Sequence, residues 1–377
     1  MSGETLDLAK RLVACRSMTP DDAGCLDLVA WRLNAAGFTC ERIDRGGVRN
    51  LLARHGRTAP LVCLAGHVDV VPPGPIERWT SDPFVPTERD GYLYGRGVAD
   101  MKASVAAMVT AAERFVAAHP GHPGSIAVLL TSDEEGDAVD GTVAVVDVLT
   151  SRGESLQACI IGEPTSSERL GDAMKNGRRG SLHSVLTVKG QQGHVAYPEL
   201  ARNPIHMAMP ALAELTATQW DTGDESFAPT SFQISNVHAG TGANNVIPGT
   251  MDVVFNLRFS PSSPAGTLKA RVQEVLDRHG VTCDLVWTVA SLPFISPPGR
   301  LVDAMRSAVA AVTGITPALS TGGGTSDGRF LAAISAELVE FGPVNASIHG
   351  IDERVRVADI APLSEIFERT ITALLAR

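Results

Sequence analysis

The sequence predicts an α/β protein: a doubly wound domain interrupted by an inserted ferredoxin-like (βαββαβ) unit. Three observations predict it. Short apolar runs end in turn residues and then in acids or histidines, as buried parallel strands do at their carboxyl ends. Helical patterns alternate with these runs to about residue 165, the order of a doubly wound layer. From about Gly180 the order becomes strand, helix, strand, strand, helix, strand, until Ser296-Pro297-Pro298-Gly299 marks the return. The expected division is 1–179 with 292–377 for the doubly wound domain and 180–291 for the insertion.

Taken in order, Thr19-Pro20-Asp21-Asp22 reads as a helix start, with a capping hydroxyl, a proline at the first position and acids at the positive dipole end. Leu26, Val29, Ala30 and Leu33 give that helix one apolar face, and Gly37 closes it. Leu61 to Ala65 is a strand running into Gly66-His67-Val68-Asp69. Asp100 follows Gly95-Arg96-Gly97, just ahead of an alanine-rich helix. Ile126 to Leu130 is a second strand, and Asp133, Glu134 and Glu135 follow it at once. Cys159 to Ile161 leads through Gly162 to Glu163-Pro164, and a strand near Glu337 to Phe341 leads to His349.

Within the insertion, Leu182 to Val188 is strand-like and Asn203-Pro204 opens a helix that Pro210 should kink. Strands near Phe232 to Val237 and Met251 to Phe259 follow. A helix with Leu268, Val272, Val275 and Leu276 on one face comes next, and Cys283 to Val289 completes the unit.

His67, Asp100, Glu135, Glu163 and His349 thus emerge beside strand ends, where ligands bind in open α/β sheets. Carboxylates held there repel one another by roughly 3–4 kcal/mol per pair at about 5 Å. A cation relieves that cost. Imidazole nitrogen and carboxylate oxygen are ligand types for zinc, manganese or cobalt. Three carboxylates balance two divalent ions better than one, and a bridging carboxylate, best supplied by Asp100, holds such ions roughly 3.5–4 Å apart. Asp69, two residues beyond His67, can accept the second imidazole N–H. Glu134, beside Glu135, is the candidate general base.

Composition narrows the alternatives. With 377 residues, 44% of them hydrophobic, the chain can bury one large core or two smaller ones. A net charge of −10 argues against nucleic acid or an anionic membrane as partner. Six cysteines without a CxxC spacing read as small buried hydrophobes in a reducing compartment. The N-terminal segment carries Glu4 and Asp7 and no apolar h-region, and Ala103 to Ala112 is too short to span a bilayer, so a cytoplasmic protein is expected. Lys175, Arg178 and Arg179, between glycines in an acidic chain, look like an anion clamp. Gly322 to Asp327 lacks P-loop spacing and reads as a loop offering backbone N–H groups to a substrate carboxylate.

The stretches GHVDVVPPG (66–74), GRGVADMKA (95–103), TSDEEGDAVDGT (131–142), GEPT (162–165), KNGRRGSL (175–182), GHVAYPELARNP (193–204), NNVIPG (244–249) and GGGTSDGRF (322–330) resemble the di-zinc M20 amidohydrolases over nearly the whole chain. The resemblance implies a catalytic doubly wound domain with a di-metal site and an inserted dimerisation domain. It implies two zinc ions per chain, with cobalt or manganese as substitutes. His67 and Glu163 would bind one ion, Glu135 and His349 the other, and Asp100 would bridge them. Glu134 would take a proton from the attacking water and return it to the leaving amine.

Lys175, Arg178, Tyr197, Asn244, Asn245, Arg258, Gly324 and Thr325 match substrate-contacting positions, suited to a small dicarboxylate amide. The resemblance further implies a cis peptide between Asp100 and Met101, and a homodimer in which His194 enters the partner's catalytic site. Rival readings are another hydrolase of the family acting on different acyl groups or peptides, and a metal-dependent binding protein that has lost catalysis. The presence of Glu134 speaks against the last.

Overall fold

The structure, a computed structural model, describes residues 2–376. Its chain separates into two compact units. One comprises Met1–Gly177, Ile295–Ser320 and Ser326–Arg377, and the other Arg178–Phe294 with Thr321–Thr325.

The first unit is built on an eight-stranded mixed sheet. In spatial order its strands are Thr39–Arg42, Asn50–His55, Ser125–Thr131, Leu61–His67, Ala158–Ile161, Leu338–Glu340, Ala173–Lys175 and Ala318–Ser320. The four central strands, from Ser125–Thr131 to Leu338–Glu340, run parallel. Antiparallel pairings appear only toward the edges, where Asn50–His55 pairs with Ser125–Thr131 and with Thr39–Arg42, and Leu338–Glu340 meets Ala173–Lys175. The continuous apolar runs identified in the sequence are therefore the strands buried on both faces, and all four aim their carboxyl ends the same way. Val62, Leu64, Ile126, Val128, Leu130, Ile160 and Val339 share one core with the helices Ser2–Val13, Cys25–Ala35, Ala103–Ala118, Arg300–Thr313 and Val357–Leu375. Thr142–Ser151 lies against the strands Asn50–His55 and Ser125–Thr131.

One helix start differs from expectation. Thr19-Pro20 is a cis peptide outside any helix, and the helix begins at Cys25 after Gly24. The Asp22 carboxylate nonetheless accepts the Leu26 N–H, so the acid meets the helix one turn later than its place beside proline suggests. The helix ends at Ala35, ahead of Gly37 in the left-handed region.

The second unit carries strands Gly180–Lys189, Ser231–Ala239, Thr250–Phe259 and Cys283–Ser291, with helices Pro204–Ala217 and Ala265–Arg278 in the expected places. Its sheet has the first strand between the third and the fourth, with the second outside the third, all antiparallel. Leu182, Leu186, Val188, Phe255, Leu257, Leu268, Val272 and Leu276 make its core. Asn203 caps the first helix by accepting the Ile205 N–H at 3.0 Å, and Pro204 takes the first position. That helix continues past Pro210 to Ala217. Among the described residues, no helix is long and apolar enough to cross a membrane.

Candidate metal centre

The carboxyl ends of the central strands place the ligand set. His67 closes the strand Leu61–His67 and is fully buried. Its Nδ1 stands 2.9 Å from the backbone oxygen of Asp69. A carbonyl can only accept, so Nδ1 carries a proton, and Nε2 is the nitrogen aimed at the acids. The Asp69 carboxylate, the expected partner of this nitrogen, lies 3.6 Å from Nδ1, just beyond the backbone oxygen. That carboxylate also accepts from the backbone N–H groups of Glu134 and Glu135, at 3.4 and 3.1 Å, and so holds the acidic loop to the end of the neighbouring strand.

The other expected ligands converge on the same point. His67 Nε2 is 3.1 Å from Asp100 Oδ1 and 3.8 Å from Glu163 Oε1. His349 Nε2 is 2.9 Å from Glu135 Oε1 and 3.5 Å from Asp100 Oδ2. Asp100 thus turns one oxygen to each histidine. Two overlapping groups, His67 with Asp100 and Glu135, and His67 with Glu134 and Glu163, each place their ligand atoms within 4.8 Å of one another. Two imidazoles and four carboxylates so close suit two divalent cations, and the split of the Asp100 oxygens suits a bridge between them. The Asp100–Met101 peptide is cis.

The electrostatics follow from this crowding. Burial works against a charged His67, but hydrogen bonding to Asp100 and Asp69 and the charge of Glu134 outweigh it and raise its pKa. Burial and the nearby Glu163 push the Glu134 carboxyl well above its ordinary range. His349 is raised chiefly by its bond to Glu135.

Several groups here gave no signal on their own in the sequence. Asp327 is buried, takes the Thr142 hydroxyl at 2.6 Å on Oδ2, and among the described residues has no hydrogen-bond partner for Oδ1. Burial raises its pKa to about 6. Buried Lys102 donates to the Cys15 carbonyl at 2.9 Å. Buried Glu353 accepts from Arg96 and from three backbone N–H groups of the Gly95–Asp100 loop. Glu353 lies four residues beyond His349 between Asp352 and Arg354, in a charged stretch that gives no reason to single it out.

Of the positions matched to substrate contacts, Lys175 lies buried in the first unit on the strand Ala173–Lys175. The rest belong to the second unit. Arg178 Nη1 donates to the Gly324 carbonyl at 3.1 Å, which joins the arginine to the Gly324-Thr325 loop. Arg258 sits opposite Ser181 in the sheet, and burial together with Arg179 lowers its pKa. Gly193 and His194 pair with Ile247 and Val246, which brings exposed Asn244 and Asn245 beside His194. Val195 donates to the Asn245 carbonyl at 3.0 Å, and the His194 and exposed Tyr197 rings are 5.8 Å apart. His194 Nδ1 accepts the Ala196 N–H at 3.0 Å, so Nε2 carries the proton in the neutral ring.

The chain is similar to known proteins along its whole length. A succinyl-diaminopimelate desuccinylase of Bordetella bronchiseptica is 62% identical over 370 residues, 98% of each chain. A protein of the same name from Nitrosomonas europaea is 58% identical over 375 residues, the whole of each chain. Among solved structures, an M20 metallo-carboxypeptidase of Sulfolobus solfataricus matches with a TM-score of 0.81 at 15% identity, over 98% of each chain. The Bacillus subtilis YxeP protein, described as a dinuclear metal-binding peptidase, matches at 0.74 and 14% identity, over 99% of this chain and 98% of its own. These two share the fold. The model of peptidase family M20/M25/M40 matches residues 63–373, and the chain belongs to that family.

Proposed function

We propose that this chain hydrolyses N-succinyl-LL-2,6-diaminopimelate to LL-2,6-diaminopimelate and succinate, within lysine and diaminopimelate biosynthesis. The observation that carries the reading is one cluster of His67, Asp100, Glu135, Glu163 and His349 with Glu134 against it, in a chain 58–62% identical end to end to desuccinylases of that name.

His67 and Glu163 would hold one divalent ion, Glu135 and His349 the other, and Asp100 would serve both. Zinc is the resident metal, replaceable by cobalt or manganese. When bound, the ions supply Lewis acidity toward the amide oxygen and lower the pKa of water. Glu134 takes the proton of the attacking water and hands it to the leaving amine.

The substrate presents carboxylates at both ends, matched by Lys175, Arg178 and Arg258 and by the Gly324-Thr325 loop. Asn244, Asn245 and Tyr197 complete its surroundings. The active form is a cytoplasmic homodimer formed through the inserted domain, 180–291, while 1–179 and 292–377 carry the chemistry. His194 of each protomer donates its Nε2 proton to the oxyanion that forms at its partner's site.

The test compares succinyl-diaminopimelate, acetylornithine and a dipeptide panel on one preparation whose metal content is measured. The highest kcat/KM is expected for succinyl-diaminopimelate. Faster turnover of acetylornithine or a dipeptide would replace the substrate while leaving the amide hydrolase in place.

A further inference from the structure

Glu353 is buried, with 1% of its side chain exposed, and all of its acceptor capacity points at one loop. Oε2 accepts from Arg96 Nη1 at 2.8 Å and from the Gly97 N–H at 2.9 Å. Oε1 accepts from the N–H groups of Ala99 at 2.9 Å and of Asp100 at 3.1 Å. Its backbone oxygen takes the Gly95 N–H at 3.0 Å. The loop from Gly95 to Asp100 is therefore wrapped around a single residue.

Arg96 is equally buried. Its guanidinium lies 5.1 Å from the centre of the Trp79 ring, and Nη2 reaches toward the backbone oxygen of His349 at 3.4 Å. Two of the five cluster residues, Asp100 and His349, are thus connected through one ion pair.

We propose that Glu353 is a positioning residue for the metal centre: its carboxylate fixes the path of the Gly95–Asp100 loop so that Asp100 faces both histidines, and through Arg96 it ties that loop to the backbone of His349. This rests on the reading of His67, Asp100, Glu135, Glu163 and His349 as ligands. The physical argument is one of acceptors. Four donors converge on two oxygens, and only a carboxylate accepts at both. In an isosteric glutamine one oxygen becomes an NH₂ group, and either orientation sets that group against two donors that cannot give way without moving the loop. Outer partners of metal ligands act in this manner, and their loss typically costs 10–100-fold in metal affinity.

The experiment measures Zn²⁺ affinity of the full-length protein by competition with a chelator, alongside the melting temperature of the ion-free protein. Glu353→Gln should bind Zn²⁺ about 10–100-fold more weakly. Glu365→Gln, which alters an exposed ion pair with Arg369, should match the parent. Parental Zn²⁺ affinity with a lowered ion-free melting temperature would reduce Glu353 to a fold-stabilising ion pair and overturn the proposal.

Should Glu353→Gln not fold, Arg96→Lys keeps a cation opposite Glu353 and all the backbone bonds but loses the fork that also reaches His349. It should weaken Zn²⁺ binding about tenfold, and unchanged affinity there would likewise overturn the proposal. His67→Ala separates the two levels of argument. If it loses Zn²⁺ while Glu353→Gln and Arg96→Lys do not, the ligand reading stands and the positioning role falls. If His67→Ala itself keeps Zn²⁺, the ligand reading is what fails.

Discussion

At the scale of single residues, Asp100 and Glu134 are separable by experiment. Asp100 turns an oxygen toward each histidine, so Asp100→Ala should lose more than one of two bound ions, read by elemental analysis of the dialysed protein. One tightly held ion at full activity in the parent would end the bridging role. Glu134→Ala should keep both ions and lose turnover by at least about 10²–10⁴-fold, the usual contribution of a general base. Retained turnover would point to another base.

Glu134 was legible because it follows the strand Ser125–Thr131, and Asp100 because it stands between a glycine-rich turn and the helix Ala103–Ala118. What surrounds them was not. Gly66 and Gly162, immediately before His67 and Glu163, both make room for the side chain of Met101, which follows Asp100. A Cβ on Gly162 would also stand 2.7 Å from Ser104 Cβ and 3.0 Å from Met108 Cε. Gly162→Ala should therefore destabilise the protein by about 1–3 kcal/mol through overpacking, checked by denaturant unfolding. A glycine ahead of a ligand is visible in the sequence; the methionine that requires it is more than thirty residues away.

At the scale of elements, the acidic loop shows how far local pattern reaches. Its position after Ser125–Thr131 followed from the apolar run, whereas its anchor, the Asp69 carboxylate, comes from the neighbouring parallel strand. Thr19-Pro20 failed for a related reason. Capping signals describe a helix start in isolation, and here the segment instead follows a sheet, with Met18 bridged to Val70.

The connector after the helix Pro204–Ala217 gives a pH test. Burial acts to raise the pKa of Asp221, but bonds from the Ser263 and Thr230 hydroxyls and the Thr230 and Gly223 N–H groups outweigh it and depress it. A depressed carboxyl stabilises the fold above its unfolded pKa, near 3.9, and that contribution is lost as pH falls through the folded value. Asp221→Asn should be less stable than the parent at pH 7, with the gap closing below about pH 4. A gap of constant size between pH 7 and 3 in thermal unfolding would show that the charge is not what these donors hold.

At the scale of the whole molecule, the order of elements was readable on both sides of the insertion, because two periodicities meet near residue 180 and part again near 295. The grouping of Thr321–Thr325 with the second unit was not, since those five residues lie between stretches of the first. Assembly is tested by mixing Glu134→Ala with His194→Ala under subunit exchange. With His194 acting on its partner, each mixed dimer gains one complete site, and activity should exceed the sum of the parents. Heterodimers shown to form without recovered activity would place His194 outside the partner's chemistry.

The interrupted course of the first unit has a consequence in time. His67, Asp100, Glu135 and Glu163 are synthesised before the second unit, while Leu338–Glu340, His349 and Glu353 come after it. Leu338–Glu340 is an interior strand, seated between Ala158–Ile161 and Ala173–Lys175. A growing chain thus carries most of the donors long before it owns the strand that closes the sheet or the acid that shapes the Asp100 loop.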